Sequence, residues 1–170
     1  SSLIKRLLDY RLIENRKIIL NITEISPGDI LNDLVKNIRL IAVKKSIKVI
    51  SECSCFGVTL KSDHELLYQI LENLLTNAVK FSTHGSNIYL RCLNLENKHI
   101  FEVEDEGPGF TDDDKTKIYS IFAKLSAQPT GNEHSTGLGL SIVKKLCGLL
   151  GAEIKLDSEE NKGARFIITL

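Results

Sequence analysis

Two asparagines and a lysine in the middle of the chain have types and spacing that could bind a metal ion and phosphate. Asn73, Asn77 and Lys80 follow one another at intervals of four and three residues, which places them along one line of a helix. Amide oxygens suit a hard cation such as Mg²⁺, and an ammonium group suits phosphate oxygens. A solvated helix face would give the same pattern. However, asparagine is a mediocre helix former, so placing two here costs some stability without an evident packing return.

A second polar group ends an apolar strand. Strand alternation puts Phe101, Val103 and Asp105 on one side, so the carboxylate of Asp105 continues an apolar face. A buried carboxylate needs a hydrogen-bond donor, and the exocyclic amino group of a purine would serve. Gly107 and Gly109 would let the backbone approach a ligand closely. A simple strand-ending turn is the alternative, because Asp and Gly are common turn residues.

Glycines also stand at the start of a later predicted helix. Gly137 and Gly139 surround the point where the helix begins, and such a start exposes free backbone N–H groups at the positive end of the helix dipole. An ordinary flexible cap is the alternative. The segment is not a Walker A loop, and it lacks the leading strand of a Rossmann fingerprint. Any anion site here must therefore be of another kind.

The elements that would position these residues can be read from periodicity and turn signals. Three helices are predicted. The first runs from Ser26 to about Ser46, and the second is opened by a Ser62/Glu65 capping box and lasts to about Phe81. The third covers 138–150. The predicted strands are 17–25, 47–53, a possible short one at 56–60, 87–95, 99–105, 153–157 and 164–170. Three helices and a sheet of about five of these strands, several of them joined as hairpins, predict one sheet layered on helices.

Composition narrows the function classes. The chain has 170 residues, 42% of them hydrophobic, which predicts one domain. Lys and Arg total 22 against 22 Asp and Glu, which argues against a nucleic-acid partner or an anionic membrane surface. The lack of methionine predicts a piece of a longer protein. Cys53, Cys55, Cys92 and Cys147 show no zinc-ligand spacing, so reduced packing thiols and a cytoplasmic location are expected.

Four segments together resemble the signature boxes of a known family. Glu72–Ser82, Asp105–Phe110, Ile118–Phe122 and Thr136–Val143 resemble, in order, the N, G1, F and G2 boxes of sensor histidine kinases. The opening residues look like the end of a dimerisation and phosphoacceptor helix. The resemblance implies a boundary between a helical remnant, 1–16, and an ATP-binding catalytic domain, 17–170. It also implies the Bergerat fold, an α/β (α+β) two-layer sandwich with a mixed, largely antiparallel sheet of about five strands packed on three helices.

The resemblance further implies the roles of the site residues. Asn77 is the expected Mg²⁺ ligand, Asp105 the expected adenine reader, and Phe122 the anchor of a mobile lid over 126–135. Lys124 stands where the family often carries an arginine that reaches the terminal phosphate, which keeps the charge but loses bidentate geometry. The expected catalytic residues are Asn73, Asn77, Lys80 and Lys124. The expected ATP- or ADP-binding residues are Asn73, Asn77, Lys80, Phe81, Asp105, Gly107, Gly109, Phe122, Thr136, Gly137, Leu138, Gly139 and Leu140.

The expected reaction is transfer of the γ-phosphoryl group of Mg-ATP to a histidine on a phosphoacceptor domain. Related ATPases carry a water-activating glutamate one turn before the metal asparagine, but here that position is Asn73, and Glu72 should point elsewhere. None of the four histidines has phosphoacceptor context, so the chain should bind ATP without phosphorylating itself. An ATP-hydrolysing relative and a nucleotide-sensing module are the alternatives. A response regulator or receiver domain, a homodimeric parent that could be anchored in the inner membrane, and a fragment that could be monomeric are also expected.

Overall fold

The computed structural model describes residues 19–55, 57–131 and 136–170, and every structural statement below concerns those residues. The helices are α1 (Pro27–Ala42), α2 (His64–Phe81), α3 (Asp112–Lys117) and α4 (Gly139–Leu150), with a 3₁₀ turn at Val43–Lys45. The strands are β1 (Ile22–Ile25), β2 (Lys48–Cys53), β3 (Leu60–Asp63), β4 (Asn87–Leu95), β5 (Lys98–Asp105), β6 (Glu153–Ser158) and β7 (Ala164–Thr169). The predicted helical remnant, 1–16, lies outside the described residues.

The main sheet has five strands in the order β2-β4-β5-β7-β6. The β2–β4 pair is parallel and the other three pairs are antiparallel, and two of these three, β4–β5 and β6–β7, are hairpins. The register pairs Asp105 with Ile88 on one side and with Ala164 on the other. A separate two-stranded sheet joins β1 to β3. The predicted mixed, largely antiparallel five-stranded sheet is confirmed.

The core lies between one face of this sheet and the three long helices. Alternate residues of the central strands are buried, and α2 presents Leu67, Ile70, Leu71, Leu74, Leu75 and Ala78 to the core, as its periodicity predicts. Each fully buried leucine side chain stabilises the fold by about 1.5–3 kcal/mol relative to an exposed one. The opposite arc of α2 is half-buried and carries the two predicted asparagines and Lys80. The sheet therefore fixes one side of α2 and leaves the other for the site.

Four predicted boundaries were wrong. The first strand, predicted over 17–25, begins only at Ile22, and 19–21 lie outside it. The first helix ends at Ala42 and tightens into the 3₁₀ turn, and Ser46 takes the left-handed conformation, with φ of 54°, that stops it. The possible strand at 56–60 shares only Leu60 with β3, and residue 56 lies outside the described part. Helix α2 begins after Asp63, whose carboxylate accepts a hydrogen bond from Leu66 N, so the Ser62 capping box is absent. The reason is tertiary, because pairing with β1 keeps the chain extended through Asp63.

Candidate functional site

A cavity of about 540 Å³ opens between α2, the start of α4 and the segment that joins α3 to α4. This volume is within the range of small-molecule sites. Helix α2 contributes polar side chains, and α4 contributes glycine backbone. The lining residues are Asn77, Lys80, Phe81, Ile118, Phe122, Ala123, Lys124, Leu125, Ala127, Gln128, Pro129, Thr136, Gly137, Gly139 and Leu140.

The two asparagines face the beginning of α4. A Cβ built on Gly139 would lie 3.5 Å from Asn77 Nδ2, 3.6 Å from Asn77 Oδ1 and 3.7 Å from Asn73 Oδ1. Asn73 Nδ2 donates to the Gln69 carbonyl at 2.8 Å, which leaves its oxygen turned towards α4. Asn77 lines the cavity, whereas Asn73 lies beneath Gly139 and does not line it. The structure thus separates two residues that the spacing alone treats alike.

The N-cap residue of α4 does not satisfy the backbone N–H groups of the first turn. This residue, Leu138, is buried and makes no side-chain capping hydrogen bond. The first N–H groups of a helix need such a partner or an external acceptor. Lys80 and Lys124 line the same cavity, and Lys80 Nζ lies 5.5 Å from the centre of the Phe81 ring. Two ammonium groups and a helix N-terminus therefore share one opening.

Asp105 lies in a smaller cavity of about 40 Å³ beside the large one. Its Oδ1 accepts a hydrogen bond from Gly107 N at 2.9 Å. Burial raises the pKa of Asp105 to about 6, and this effect outweighs the hydrogen bonds from the Gly107 and Ala164 backbones, which lower the pKa. A perturbed carboxylate in a cleft is a marker of a functional site.

The two cavities are continuous in their linings. Five residues belong to both, namely Asn77, Phe81, Leu125, Ala127 and Leu140. The remaining walls of the small cavity are mainly apolar and include Phe110, Ala164 and Phe166. The chemical character of these walls matches a flat, apolar group with one polar edge, which Asp105 would meet, although the cavity would have to widen to admit it.

Glycine is required at two positions in the turn that follows β5. A Cβ on Gly107 would come within 2.8 Å of Asp105 Oδ1, and a Cβ on Gly109 would lie 2.1 Å from the Glu159 carbonyl oxygen. Gly109 also has a φ of +65°. The close approach of Gly109 to the loop after β6 fixes the wall of the small cavity that holds Pro108 and Phe110.

Substitution of Gly109 by alanine should destabilise the fold by about 2 kcal/mol or more beyond the cost of its positive φ, because the backbone must shift. Gly85→Ala is the matched control, since Gly85 has a φ of +79° and nothing within 4 Å of its built Cβ. Chemical denaturation of both variants measures the difference. Equal free energies of unfolding would show that the contact with Glu159 does not constrain this wall.

Gly137 and Phe122 contact each other at the edge of the large cavity. Phe122 N donates to the Gly137 carbonyl at 3.0 Å, and a Cβ on Gly137 would lie 2.8 Å from Phe122 Cα. The Phe122 side chain is 55% exposed and lines the large cavity. Its backbone therefore ties the segment after α3 to the start of α4, whereas its ring stays available to solvent or a partner.

Two residues that hold segment 126–130 by hydrogen bonds were not predicted from the sequence. Asp114 in α3 is 1% exposed and accepts hydrogen bonds from Ser126, including one from its backbone N at 2.9 Å. Burial would raise the pKa of Asp114, but hydrogen bonds from Ser126 and Thr111 hold it below its usual range. Lys45 Nζ donates to the Val79 and Lys80 carbonyls and to Thr130 Oγ1, at 2.9, 3.0 and 2.9 Å. Segment 126–130 is thus fastened at both ends, while 132–135 lie outside the described residues.

The structure brings most predicted site residues together. Asn77, Lys80, Phe81, Phe122, Lys124, Thr136, Gly137, Gly139 and Leu140 line the large cavity, and Asp105 and Gly109 line the small one. Asn73, Gly107 and Leu138 line neither and support the residues beside them. Asp114 and Lys45 could not be found from local patterns, because their partners are 12 and 85 residues away in the chain.

The fold and the site define an α/β sandwich of the nucleotide-binding ATPase class. A family described as "Histidine kinase-, DNA gyrase B-, and HSP90-like ATPase" matches residues 62–170, and the chain belongs to this family. Sensor histidine kinase YclK of Bacillus subtilis is 31% identical over 169 residues, which cover 99% of this chain and 35% of that protein. Hybrid signal transduction histidine kinase B of Dictyostelium discoideum is 32% identical over 178 residues, which cover 99% of this chain and 9% of that protein.

A solved structure supports the same assignment. Full-length ShkA, crystallised in complex with AMPPNP, superposes with a TM-score of 0.87 and 26% identity, covering 98% of this chain and 34% of that one. The predicted resemblance is confirmed: the chain is an ATP-binding catalytic domain of the histidine-kinase type. It spans about a third or less of each of these three proteins. No helix among the described residues is long and apolar enough to cross a membrane.

Proposed function

We propose that this chain binds Mg-ATP and transfers the γ-phosphoryl group to a histidine of a separate phosphoacceptor domain. The observation that carries the proposal is the large cavity, where Asn77 faces the start of α4. The small cavity that contains Asp105 shares five lining residues with it. The cavity offers a site for phosphates and the smaller pocket offers a site for a base. The ShkA relative, crystallised with AMPPNP, supports a nucleotide as the ligand.

Adenine would sit in the small cavity, with its exocyclic amino group donating to Asp105. The apolar walls would cover the ring faces, and the polar edge would meet the one carboxylate that lines this cavity. A cavity of about 40 Å³ is too small for a purine, so Leu125 and Ala127, which line both cavities, would have to move outwards. The base would therefore be admitted by rearrangement of the segment before residue 130.

The phosphates would occupy the large cavity between α2 and α4. Backbone N–H groups at Gly139 and Leu140 and the ammonium groups of Lys80 and Lys124 would neutralise their charge. The donor set also fits Mg²⁺, because Asn77 offers an amide oxygen at the cavity wall and magnesium usually keeps one or two protein ligands beside phosphate oxygens. When bound, the ion would neutralise part of the charge that the phosphate groups carry.

The nucleophile would have to come from outside the chain. Asn73 occupies the position of the water-activating carboxylate, and Glu72 is exposed and lines neither cavity. None of the three described histidines, His64, His84 and His99, lines either cavity. Catalysis would then rest on alignment and charge neutralisation, which is characteristic of phosphoryl transfer. A homodimeric parent and a downstream response regulator or receiver domain complete the proposal.

Transfer to a supplied histidine tests this proposal. A phosphoacceptor domain of the histidine-kinase type is joined ahead of residue 17, and the chimaera is incubated with γ-labelled Mg-ATP. An acid-labile phosphate should appear on the acceptor histidine, and it should be absent when that histidine is replaced by glutamine. The unfused chain should release little inorganic phosphate. Rapid phosphate release without an acceptor would favour hydrolysis, and bound ATP with no transfer would favour a nucleotide-sensing role.

A further inference from the structure

Three cysteines meet at the far end of the parallel strand pair. Cys53 and Cys92 are register partners at the end of β2 and within β4, and Cys55 follows just beyond β2. Their three Sγ atoms all lie within 4.8 Å of one another, and the Cys55 and Cys92 sulfurs are 3.1 Å apart. This is the one group of three or more His, Cys, Asp or Glu side chains in the described ranges whose ligand atoms converge in this way.

We infer that Cys53, Cys55 and Cys92 form a three-thiolate site for a soft metal ion of low coordination number, of which Cu(I) is the representative. The spacing is close to that of such a site. A metal–sulfur bond of about 2.3 Å places the sulfurs of a planar three-coordinate centre about 4 Å apart. The present separations reach that value if each sulfur moves by less than about 1 Å. On binding, each thiol releases its proton to solvent as its metal–sulfur bond forms.

The donor set selects the class of ion. Thiolates prefer soft ions such as Cu(I) and zinc to hard ions such as Mg²⁺. Structural zinc sites are almost always four-coordinate, and no fourth histidine, cysteine or carboxylate joins this group in the described residues. A water could complete a zinc site, but Cys55 and Cys92 are only 3% and 0% exposed. A buried set of three sulfurs therefore suits an ion that needs only three ligands.

A disulfide between two of these cysteines is the competing outcome at this cluster. Oxidation requires access of an oxidant to the attacking thiol, and Cys55 and Cys92, whose sulfurs are 3.1 Å apart, are both buried. The third, Cys53, is half-buried and provides a path of access from solvent. Its Sγ lies 3.8 Å from the built Cβ of Gly28 in the first turn of α1, so the site touches α1 as well as the sheet. A bound ion would cross-link β2, β4 and the loop that leads to β3.

The cluster is separate from the nucleotide site. Cys92 pairs with Phe101, whereas Asp105 pairs with Ile88 at the other end of the same hairpin. None of the three cysteines lines either cavity. The metal would therefore act on stability and leave phosphoryl transfer to the residues already described.

The test is an anaerobic titration of the reduced 170-residue chain with Cu(I) in the presence of a chromophoric Cu(I) chelator. The chain should retain one equivalent and show a sulfur-to-copper charge-transfer band. Cys53→Ala should weaken retention by more than about 100-fold, since even changes outside the ligand shell cost about 10- to 100-fold in metal affinity. Because Cys53 is half-buried, this variant should keep its circular dichroism spectrum.

Cys147→Ala is the control, because Cys147 is also a free, buried cysteine and lies in α4 outside the cluster. It should retain Cu(I) as the unmodified chain does. The inference is overturned if the chelator removes all the copper, or if Cys53→Ala holds copper as tightly as the unmodified chain. Rapid formation of a Cys55–Cys92 disulfide in air, seen by mass spectrometry, would also overturn it in favour of a redox site.

Discussion

Replacement of Asp105 by asparagine is expected to weaken ATP binding by about 10- to 100-fold, the equivalent of one hydrogen bond to a charged group. The preference for ATP over inosine triphosphate should be lost at the same time. Inosine carries a carbonyl in place of the exocyclic amino group, which repels a carboxylate but accepts from an amide. Calorimetric titration of both nucleotides against both proteins measures the two effects.

Asp157→Asn is the matched control, since Asp157 pairs with Arg165 at 2.6 Å on the exposed part of β6 and β7 and lines neither cavity. It should change neither affinity nor preference. An Asp105→Asn protein that still prefers ATP would contradict the assignment of Asp105 as the purine reader, because the fold would be intact and the discrimination would come from elsewhere.

The same substitution should stabilise the empty protein near neutral pH. Burial raises the folded-state pKa of Asp105 to about 6 from an ordinary value of 3.8. As the pH rises between these values the unfolded state releases its proton first, so the stability of the native chain falls and the loss is complete above about 6. Asp105→Asn should therefore gain about 1–3 kcal/mol at pH 7 and nothing below pH 4.

Denaturant unfolding of both proteins at several pH values checks this sign. A variant that loses stability at pH 7 would show that the carboxylate contributes to the fold and is not held at an energetic cost for a ligand. ATP affinity of the native chain should also fall as the pH drops through about 6, because the protonated carboxyl is a poorer acceptor. The asparagine variant should lack that part of the pH dependence.

Asn77→Ala is expected to remove most of the magnesium dependence of ATP binding. The affinity of the native chain for ATP should rise on addition of Mg²⁺, and the variant should lose about 10- to 100-fold in Mg-ATP affinity while retaining its affinity for metal-free ATP. Titrations with and without EDTA separate the two quantities. Asn32→Ala on α1 is the control, because Asn32 is also a helical asparagine but is exposed and lines neither cavity.

A loss of metal-free ATP binding as large as the loss of Mg-ATP binding would contradict the role given to Asn77. That result would mean that the amide contacts the nucleotide directly or holds Gly139 in place. The second possibility has a structural basis, because the Asn77 amide atoms lie 3.5 and 3.6 Å from the built Cβ of Gly139. Gly139→Ala would then reproduce the defect.

The architecture was predictable wherever periodicity alone decides it. The apolar arc of α2 and the alternation of Phe101, Val103 and Asp105 follow from the geometry of single elements, and both lie as predicted. The β4–β5 hairpin was equally local, since Glu96 and Asn97 take positive φ at the predicted turn. Helix α2 started later than predicted because pairing of Ser62 with Thr23, 39 residues earlier, outweighs its capping tendency.

The site was predictable in composition but not in arrangement. Spacing and motif resemblance pointed to some of the residues that line the two cavities, such as Asn77 and Asp105, yet they did not show that Asn73 lies beneath Gly139. They also missed Lys45 and Asp114. The hydrogen-bond partners of these residues are distant in the sequence, and lysine and aspartate are usually exposed. Buried charges of this kind become recognisable only when the backbone groups they bind are in place.

The central claim is that a nucleoside triphosphate spans the two adjoining cavities. A crystal structure of this chain with Mg²⁺ and a non-hydrolysable ATP analogue tests it most directly. The adenine amino group should lie within hydrogen-bond distance of Asp105, with the phosphates at Gly139 and the metal at Asn77. An analogue bound elsewhere, or a base held away from Asp105 by Leu125 and Ala127, would contradict the account.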